Sequence, residues 1–373
     1  MATDVKAVVT GGTGFVGAHV VKLLNERRAD VKVVYRNPDR LNALRGLEFA
    51  RAKADVLDYR AMRRALSGAD ILFHTAGYVG SSPAERVWRI NAQAPVVAVE
   101  AAAAEGVKRV VLTSTISAVG PPQNGQPADE TTEYPENWLG LAYPDSKHEG
   151  EVAALDAGKR HGVEVVVVNP AYVFGVPVAR TNPAETSNRT VVNYLRGRLP
   201  GVVEAPMNFV DVEDVAAGHL QAAEHGRPGE RYILGGQNMT WPQLIDCIAE
   251  MSDIYYPVLV LPPEIATVAR VREALGIRGP ISAEAYELMG KNWQFSSDKA
   301  ERELGYRPRP IEETLMEMIG WYRELLDGEA FADANGSALA TIASGMQTAR
   351  RLGLLHPVRA AQRVVGRRVV AGV

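Results

Sequence analysis

A chain of 373 residues can bury one or two sizeable cores. With 46% hydrophobic and 23% charged residues it has the composition of a soluble globular protein, and a net charge of −3 gives no reason to expect nucleic acid. Cys247 is the only cysteine, no basic-then-apolar leader opens the sequence, and no apolar run approaches the ~20 residues of a membrane span, so an internal disulfide is excluded and a cytoplasmic location is expected.

The run Val5 to Thr10 predicts a first strand and Phe15 to Leu24 an apolar-periodic helix. Between them lies a glycine-rich turn, the usual place for a pyrophosphate. Gly11 or Gly12 permits the tight turn, Gly14 lets backbone approach phosphate, and Gly17 lets the helix close on the sheet. The helix N-terminus adds free N–H groups and partial positive charge. Further strands are expected at Val31 to Tyr35, Phe49 to Ala52, Ile71 to His74, Arg109 to Thr113 and Glu164 to Asn169. Helices are expected at Asp58 to Leu66, Pro95 to Ala104 and Ser146 to Arg160. This rhythm predicts an α/β fold, a Rossmann-type doubly wound parallel sheet with a smaller mixed substrate lobe.

The rhythm breaks after Pro170. Residues 1–175, completed by about 207–232, are read as the dinucleotide-binding domain, with Asn208 to Glu224 a strand and helix returning to the sheet. Residues 176–206 and 233–328, rich in proline joints, are read as the substrate lobe. Residues 329–373 form a tail with Arg350, Arg351, Arg359, Arg363, Arg367 and Arg368 among leucines and valines. A basic amphipathic stretch of this kind can lie on an anionic membrane; packing on the body is the plainer expectation.

Four features carry chemistry beyond the glycine turn. Tyr143 and Lys147 are four apart, on one helix face, where an ammonium would lower the phenol's pKa. Thr113-Ser114-Thr115 ends a strand, facing the ligand crevice or capping the next element. Arg36 stands just past the second strand, where an acid would bind the ribose of NAD. Arginine there suits a 2′-phosphate, unless it is only a solvated surface residue. Asp55, beside Val56, could accept from an adenine amino group or cap a helix.

These residues together resemble an extended short-chain dehydrogenase/reductase of the NAD-dependent epimerase/dehydratase superfamily. Thr10-Gly11-Gly12-Thr13-Gly14-Phe15-Val16-Gly17 matches its Thr-Gly-x-x-Gly-x-x-Gly loop, and Tyr143 with Lys147 its Tyr-x-x-x-Lys pair. Thr115 falls at the active-site Ser/Thr position. Phe73-His74-Thr75-Ala76, running into Gly77, resembles the strand end that lines the cofactor, and Asn91 the asparagine of the next helix. Asn169-Pro170-Ala171-Tyr172-Val173-Phe174-Gly175 resembles the Arg-Pro-x-x-Val-Tyr-Gly segment near the nicotinamide, with Asn169 in place of arginine. The segments Asn208 to Ala216, Ser297 to Ala300 and Glu303 to Tyr306 also match, and the likeness covers roughly residues 5–326. Val34 to Pro38 and Gly229 to Gly236 are closest to the dihydroflavonol-reductase-like and hopanoid-associated epimerase-like branch.

The resemblance implies catalytic roles for Thr115, Tyr143 and Lys147. It implies cofactor contacts from Gly11, Thr13, Gly14, Phe15, Val16, Gly17, Arg36, Asp55, Val56, Thr75, Ala76, Gly77, Asn91, Thr113, Tyr143, Lys147, Pro170 and Val173, with no metal. The expected reaction is reversible reduction of a ketone or aldehyde with NADPH, NAD being possible. Tyr78, Trp138, Tyr172, Phe174 and Tyr194 either shape an apolar pocket or fill the lobe core. An epimerase or dehydratase with retained NAD is the alternative. Sugar dehydratases usually follow the threonine with Asp-Glu, and here Ile116-Ser117 follows. A non-catalytic NADP sensor tends to lose the tyrosine or lysine. In such a family, helices matching 95–104 and 146–160 form a homodimer contact.

Overall fold

β-branched runs alternating with helices build a parallel sheet covered on both faces. The computed structural model describes residues 5–80, 82–135, 138–179, 187–199, 201–255, 257–277, 283–325 and 370–372. The first half contains β1 (Lys6–Thr10), α1 (Phe15–Glu26), β2 (Asp30–Tyr35), β3 (Ala50–Lys53), α2 (Tyr59–Leu66) and β4 (Ile71–His74). Then come α3 (Ala84–Trp88), a π-helical turn (Arg89–Gln93), α4 (Ala94–Ala104), β5 (Arg109–Thr113), α5 (Ala142–His161) and β6 (Glu164–Pro170).

The second half contains β7 (Tyr172–Phe174), α6 (Arg189–Leu195), β8 (Gly201–Val203), β9 (Pro206–Asp211), α7 (Val212–His225), β10 (Arg231–Leu234) and β11 (Gln237–Thr240). It continues with α8 (Trp241–Ser252), β12 (Val258–Leu261), α9 (Ile265–Ala274), α10 (Ala283–Met289), α11 (Asp298–Leu304), α12 (Ile311–Leu325) and β13 (Val370–Ala371).

The large sheet has seven strands in the order β10-β6-β5-β4-β1-β2-β3, every pair parallel. This is the Rossmann-type order, and its direction of winding reverses between β1 and β4. Side chains alternate across it with period two. Val9, Val33, Phe73, Val111 and Val166 join the core on the α1 and α7 side. Val8, Val34, Leu72, Val110 and Val165 join the core under α2, α4 and α5. Helix ends carry their own signals. Asp58 Oδ1 accepts from Ala61 N, Asp211 Oδ1 from Glu213 N, Thr240 and Gln243 form a capping box, and Gly162 at φ +71° ends α5.

Two small sheets form the second lobe: β11-β9-β7 and β13-β12-β8. The boundary drawn at 175 therefore shifts. Tyr172–Phe174 pair with β9 rather than with the large sheet, because Tyr172 and Phe174 pack edge and face against Phe209, and Tyr172 against Trp241. The strand expected at 208 likewise joins the small sheet, while α7 packs against α1 and β10 pairs with β6 on the large one. Phe174 and Tyr194 are lobe core. Helices α4 and α5 lie side by side, with Val152 of α5 still exposed. The basic tail lies outside the described residues except for Val370 to Gly372. Among the described residues, no helix is long and apolar enough to cross a membrane.

Candidate active site

The β1–α1 turn lies at the carboxyl edge of the sheet, where the winding reverses. Gly11 takes φ +69°, and a Cβ there would stand 2.5 Å from the Ala76 amide nitrogen. At Gly17 a Cβ would meet the Gly11 carbonyl oxygen at 2.3 Å and Thr75 Oγ1 at 2.5 Å. Of the two first glycines it is therefore Gly11 that the turn requires, and Gly17 that lets α1 close on it. Gly14 N donates to the Gly11 carbonyl at 2.8 Å, which sets Phe15, Val16 and Gly17 as the first turn of α1, following Thr13. A helix start has N–H groups without helical partners, so the cradle fits a pyrophosphate. Thr75 is occupied elsewhere: its hydroxyl donates to the Thr10 carbonyl at 2.7 Å.

Arg36 and Asp55 follow the neighbouring strands β2 and β3. The guanidinium is 61% exposed and 3.9 Å from the carboxylate, a loose pair. Asp55 Oδ1 also accepts from Leu57 N at 3.0 Å, a local turn bond, with Val56 between them.

Helix α5 begins at Ala142, earlier than expected, so Tyr143 and Lys147 both stand in its first turns, and Pro144 is tolerated there because early amides need no helical acceptor. The Tyr143 phenol stands beside the Thr115 hydroxyl, just past β5. Burial pushes the phenol's pKa up, and the Thr115 hydroxyl acts against this. The net shift is upward, opposite to the lowering expected from Lys147. Lys147 Nζ instead donates to the Thr113 carbonyl at 2.9 Å. Burial pulls Lys147 down to about 8, and Glu151 acts in the opposite sense.

Asn91 sits on the π-helical turn, 2% exposed. Its Oδ1 accepts from Tyr78 N at 2.8 Å, and its Nδ2 donates to the Tyr78 carbonyl at 3.0 Å and to Ser146 Oγ at 3.2 Å. It thus ties the loop following β4 to α5. A Cβ at Gly77 would come within 3.2 Å of Lys147 Nζ, so Gly77, Asn91 and Lys147 share one corner. Pro170 ends β6 and Val173 lies in β7, half-buried. Trp138 packs edge-on against Trp293.

Behind these stand His219 and Glu151, which the sequence did not single out, and Asn169, noted there only as a replacement for arginine. His219 Nδ1 faces the Val215 carbonyl at 2.7 Å, so the ring is protonated there and its Nε2, 2.8 Å from Thr113 Oγ1, accepts from the hydroxyl. Burial brings its pKa down to about 4. Asn169 Nδ2 donates to the Thr115 carbonyl at 3.1 Å and to Glu151 Oε2 at 2.9 Å. Only the Glu151 spacing, one helical turn past Lys147, was visible in sequence. A cavity of about 790 Å³ opens elsewhere, on the outer side of α1, lined by His19, Lys22, Val176 and Glu213 and by neither Tyr143 nor Lys147. Among the described residues no cluster of three His, Cys, Asp or Glu side chains could hold a metal.

The chain is similar to known proteins over most of its length. It is 30% identical over 326 residues to a putative dihydroflavonol 4-reductase of Synechocystis sp., covering 84% of this chain and 94% of that one. It is also 30% identical to sterol demethylase protein B of Methylococcus capsulatus, covering 85% and 98%. The crystal structure of gox2253 superposes with a TM-score of 0.75 at 30% identity, covering 87% of this chain and 99% of that one. The sequence profile of the NAD dependent epimerase/dehydratase family matches residues 7–235. With that profile spanning more than half of the chain, and its glycine turn and Tyr143–Lys147 pair on one sheet edge, this protein belongs to the NAD dependent epimerase/dehydratase family.

Proposed function

We propose that the protein reversibly reduces a ketone or aldehyde to an alcohol with NADPH. The observation that carries this reading is the placement of the Tyr143 phenol beside the Thr115 hydroxyl at the sheet edge, the phenol kept protonated by burial. A protonated phenol is the acid that a carbonyl oxygen needs as it becomes an alkoxide. Thr115 Oγ1, which accepts from Ser117 N at 3.3 Å, orients the phenol and hydrogen-bonds the same oxygen. Lys147 holds the ribose next to the nicotinamide, from the corner it shares with Gly77 and Asn91. Bound in the Gly11–Gly17 cradle, the cofactor supplies or receives the hydride. Arg36, solvent-facing and loosely paired, favours a 2′-phosphate.

The similarity to a dihydroflavonol 4-reductase supports the reductive direction. The family also contains epimerases and dehydratases. Against an acid–base dehydratase, Ile116 and Ser117 occupy the short helical turn after Thr115, and no carboxylate stands there. The test is to incubate the purified protein with NADPH and a panel of aromatic, steroid-like and aliphatic ketones, following the absorbance of the reduced nicotinamide. Consumption with at least one ketone is expected. Co-purifying, tightly held NAD with no oxidation of NADPH by any carbonyl would replace this reading by the epimerase one.

A further inference from the structure

Glu151 lies one helical turn beyond Lys147 on α5 and is 3% exposed. A carboxylate taken out of water is costly unless it is paired and hydrogen-bonded. Here it is both. Asn169 Nδ2 donates to Oε2 at 2.9 Å, and Arg231 Nη1, arriving from β10, lies 3.4 Å from Oε1. Arg231 is itself fixed by the carbonyls of Glu130 and Thr132 at 2.9–3.1 Å. Replacing such a buried pair by apolar side chains is often neutral or stabilising, so stability alone is a weak reason for it. Its position gives a better one. The amide that binds Glu151 also binds the Thr115 carbonyl at 3.1 Å, and the Thr115 hydroxyl lies beside the Tyr143 phenol.

We propose that Glu151 is a positioning residue of the reaction centre: clamped by Asn169 and Arg231, its fixed negative charge acts on the Lys147 ammonium one helical turn away without touching it, and its bond to Asn169 sets the backbone of Thr115.

The charged and titratable groups around this point are few. On α5 they are Tyr143, kept neutral by burial, and Glu151. From β4 comes His74, whose pKa burial and the Lys147 charge bring down to about 3, so it is neutral. From α7 comes His219, neutral and turned to Thr113. From β10 and the segment before α5 come Arg231 and Glu130, and the Glu130 carboxylate accepts from Ile233 N at 2.8 Å. Glu151 is the group among these that favours a protonated Lys147, against a burial that favours loss of the proton.

The inference rests on the proposed role of Lys147 in holding the nicotinamide ribose, and its test uses no substrate. NADPH affinity of the full-length protein is measured by cofactor fluorescence across pH, for the unmodified protein and Glu151→Gln. Glutamine keeps the shape and can still accept from Asn169 but carries no charge. The unmodified protein should lose affinity as pH rises through about 8, where Lys147 gives up its proton. In Glu151→Gln the same break should move down by roughly one pH unit or more. The double variant Glu151→Gln/Arg231→Gln leaves no unpaired ion behind and should show the same displaced break. A break at the unmodified position in either variant, or no break in the unmodified protein, overturns the proposal. A displaced break in a protein that reduces no ketone would uphold it while removing the reductase reading.

Discussion

Lys147 Nζ donates to the carbonyl oxygen of Thr113 at 2.9 Å. The ammonium is thus anchored to the end of β5 and not to the phenol four residues before it. Tyr143 is left beside Thr115, and in the proposed reaction the two functions of the Tyr-x-x-x-Lys pair separate: the phenol would face the reacting oxygen, the ammonium the cofactor side.

That separation makes a kinetic prediction. Tyr143→Phe should lower turnover by about a hundredfold or more, the usual weight of a positioned acid, and leave NADPH affinity almost unchanged. Lys147→Ala should weaken both. Steady-state rates beside fluorescence titrations check this; a Tyr143→Phe protein with near-normal turnover would show that the phenol is not the acid.

Cofactor choice is expected to depend on Arg36. Among the described residues its guanidinium is held by nothing closer than a 3.9 Å approach to Asp55 and can turn to a 2′-phosphate. NADPH should bind more tightly than NADH by on the order of tenfold or more, since a charge-assisted hydrogen bond contributes about 1.5–3 kcal/mol. Arg36→Ala should remove most of the difference. Equal affinities in the unmodified protein contradict the assignment.

The glycine turn allows a paired comparison. Gly17→Ala puts a methyl 2.3 Å from the Gly11 carbonyl oxygen and should destabilise the fold by about 1–3 kcal/mol while abolishing cofactor binding. Gly12→Ala meets only side chains, Val33 Cγ1 at 3.1 Å and Val21 Cγ2 at 3.2 Å, and should be milder on both counts. Urea midpoints and titrations of the two variants, if indistinguishable, would refute the geometry.

Much of this site could be read from the sequence because its signals are local. The glycine turn, the strand before it and the helix after it fall within a score of residues, and Tyr143 and Lys147 within one turn. What could not be read depends on long closures. Asn169 reaches Glu151 across 18 positions, Arg231 reaches Glu151 across 80, and His219 reaches Thr113 across 106. No periodicity reports such contacts. The strand at 206–211 was visible, but its sheet was not, since pairing depends on where the aromatic cluster of Tyr172, Phe209 and Trp241 gathers.

Three buried histidines make an acid-sensitive fold. Burial brings His74 to about 3, and His19 and His219 to about 4, from 6.5. Their folded-state values lie below the unfolded one, so below pH 6.5 the unfolded chain takes up protons that the folded chain does not. Stability from this source is intact above 6.5 and falls progressively as pH drops towards 4 and 3. Urea midpoints should decline over that window, and His219→Gln should decline less steeply. Parallel acid limbs for the two proteins would count against a neutral, buried His219.

The end of the described chain closes a sheet far from the sequence that surrounds it. Val370–Ala371 pair antiparallel with β12, and the Gly372 amide donates to Asp246 Oδ1 at 2.9 Å. The last residues therefore shield one side of β12, whose other side is taken by β8. A strand stripped of one neighbour presents a row of unpaired backbone groups, a template for pairing with another molecule. Trimming the basic tail thus does more than remove charge: it uncovers an adhesive edge on the second lobe, and shortened forms of this protein should be stickier than the whole.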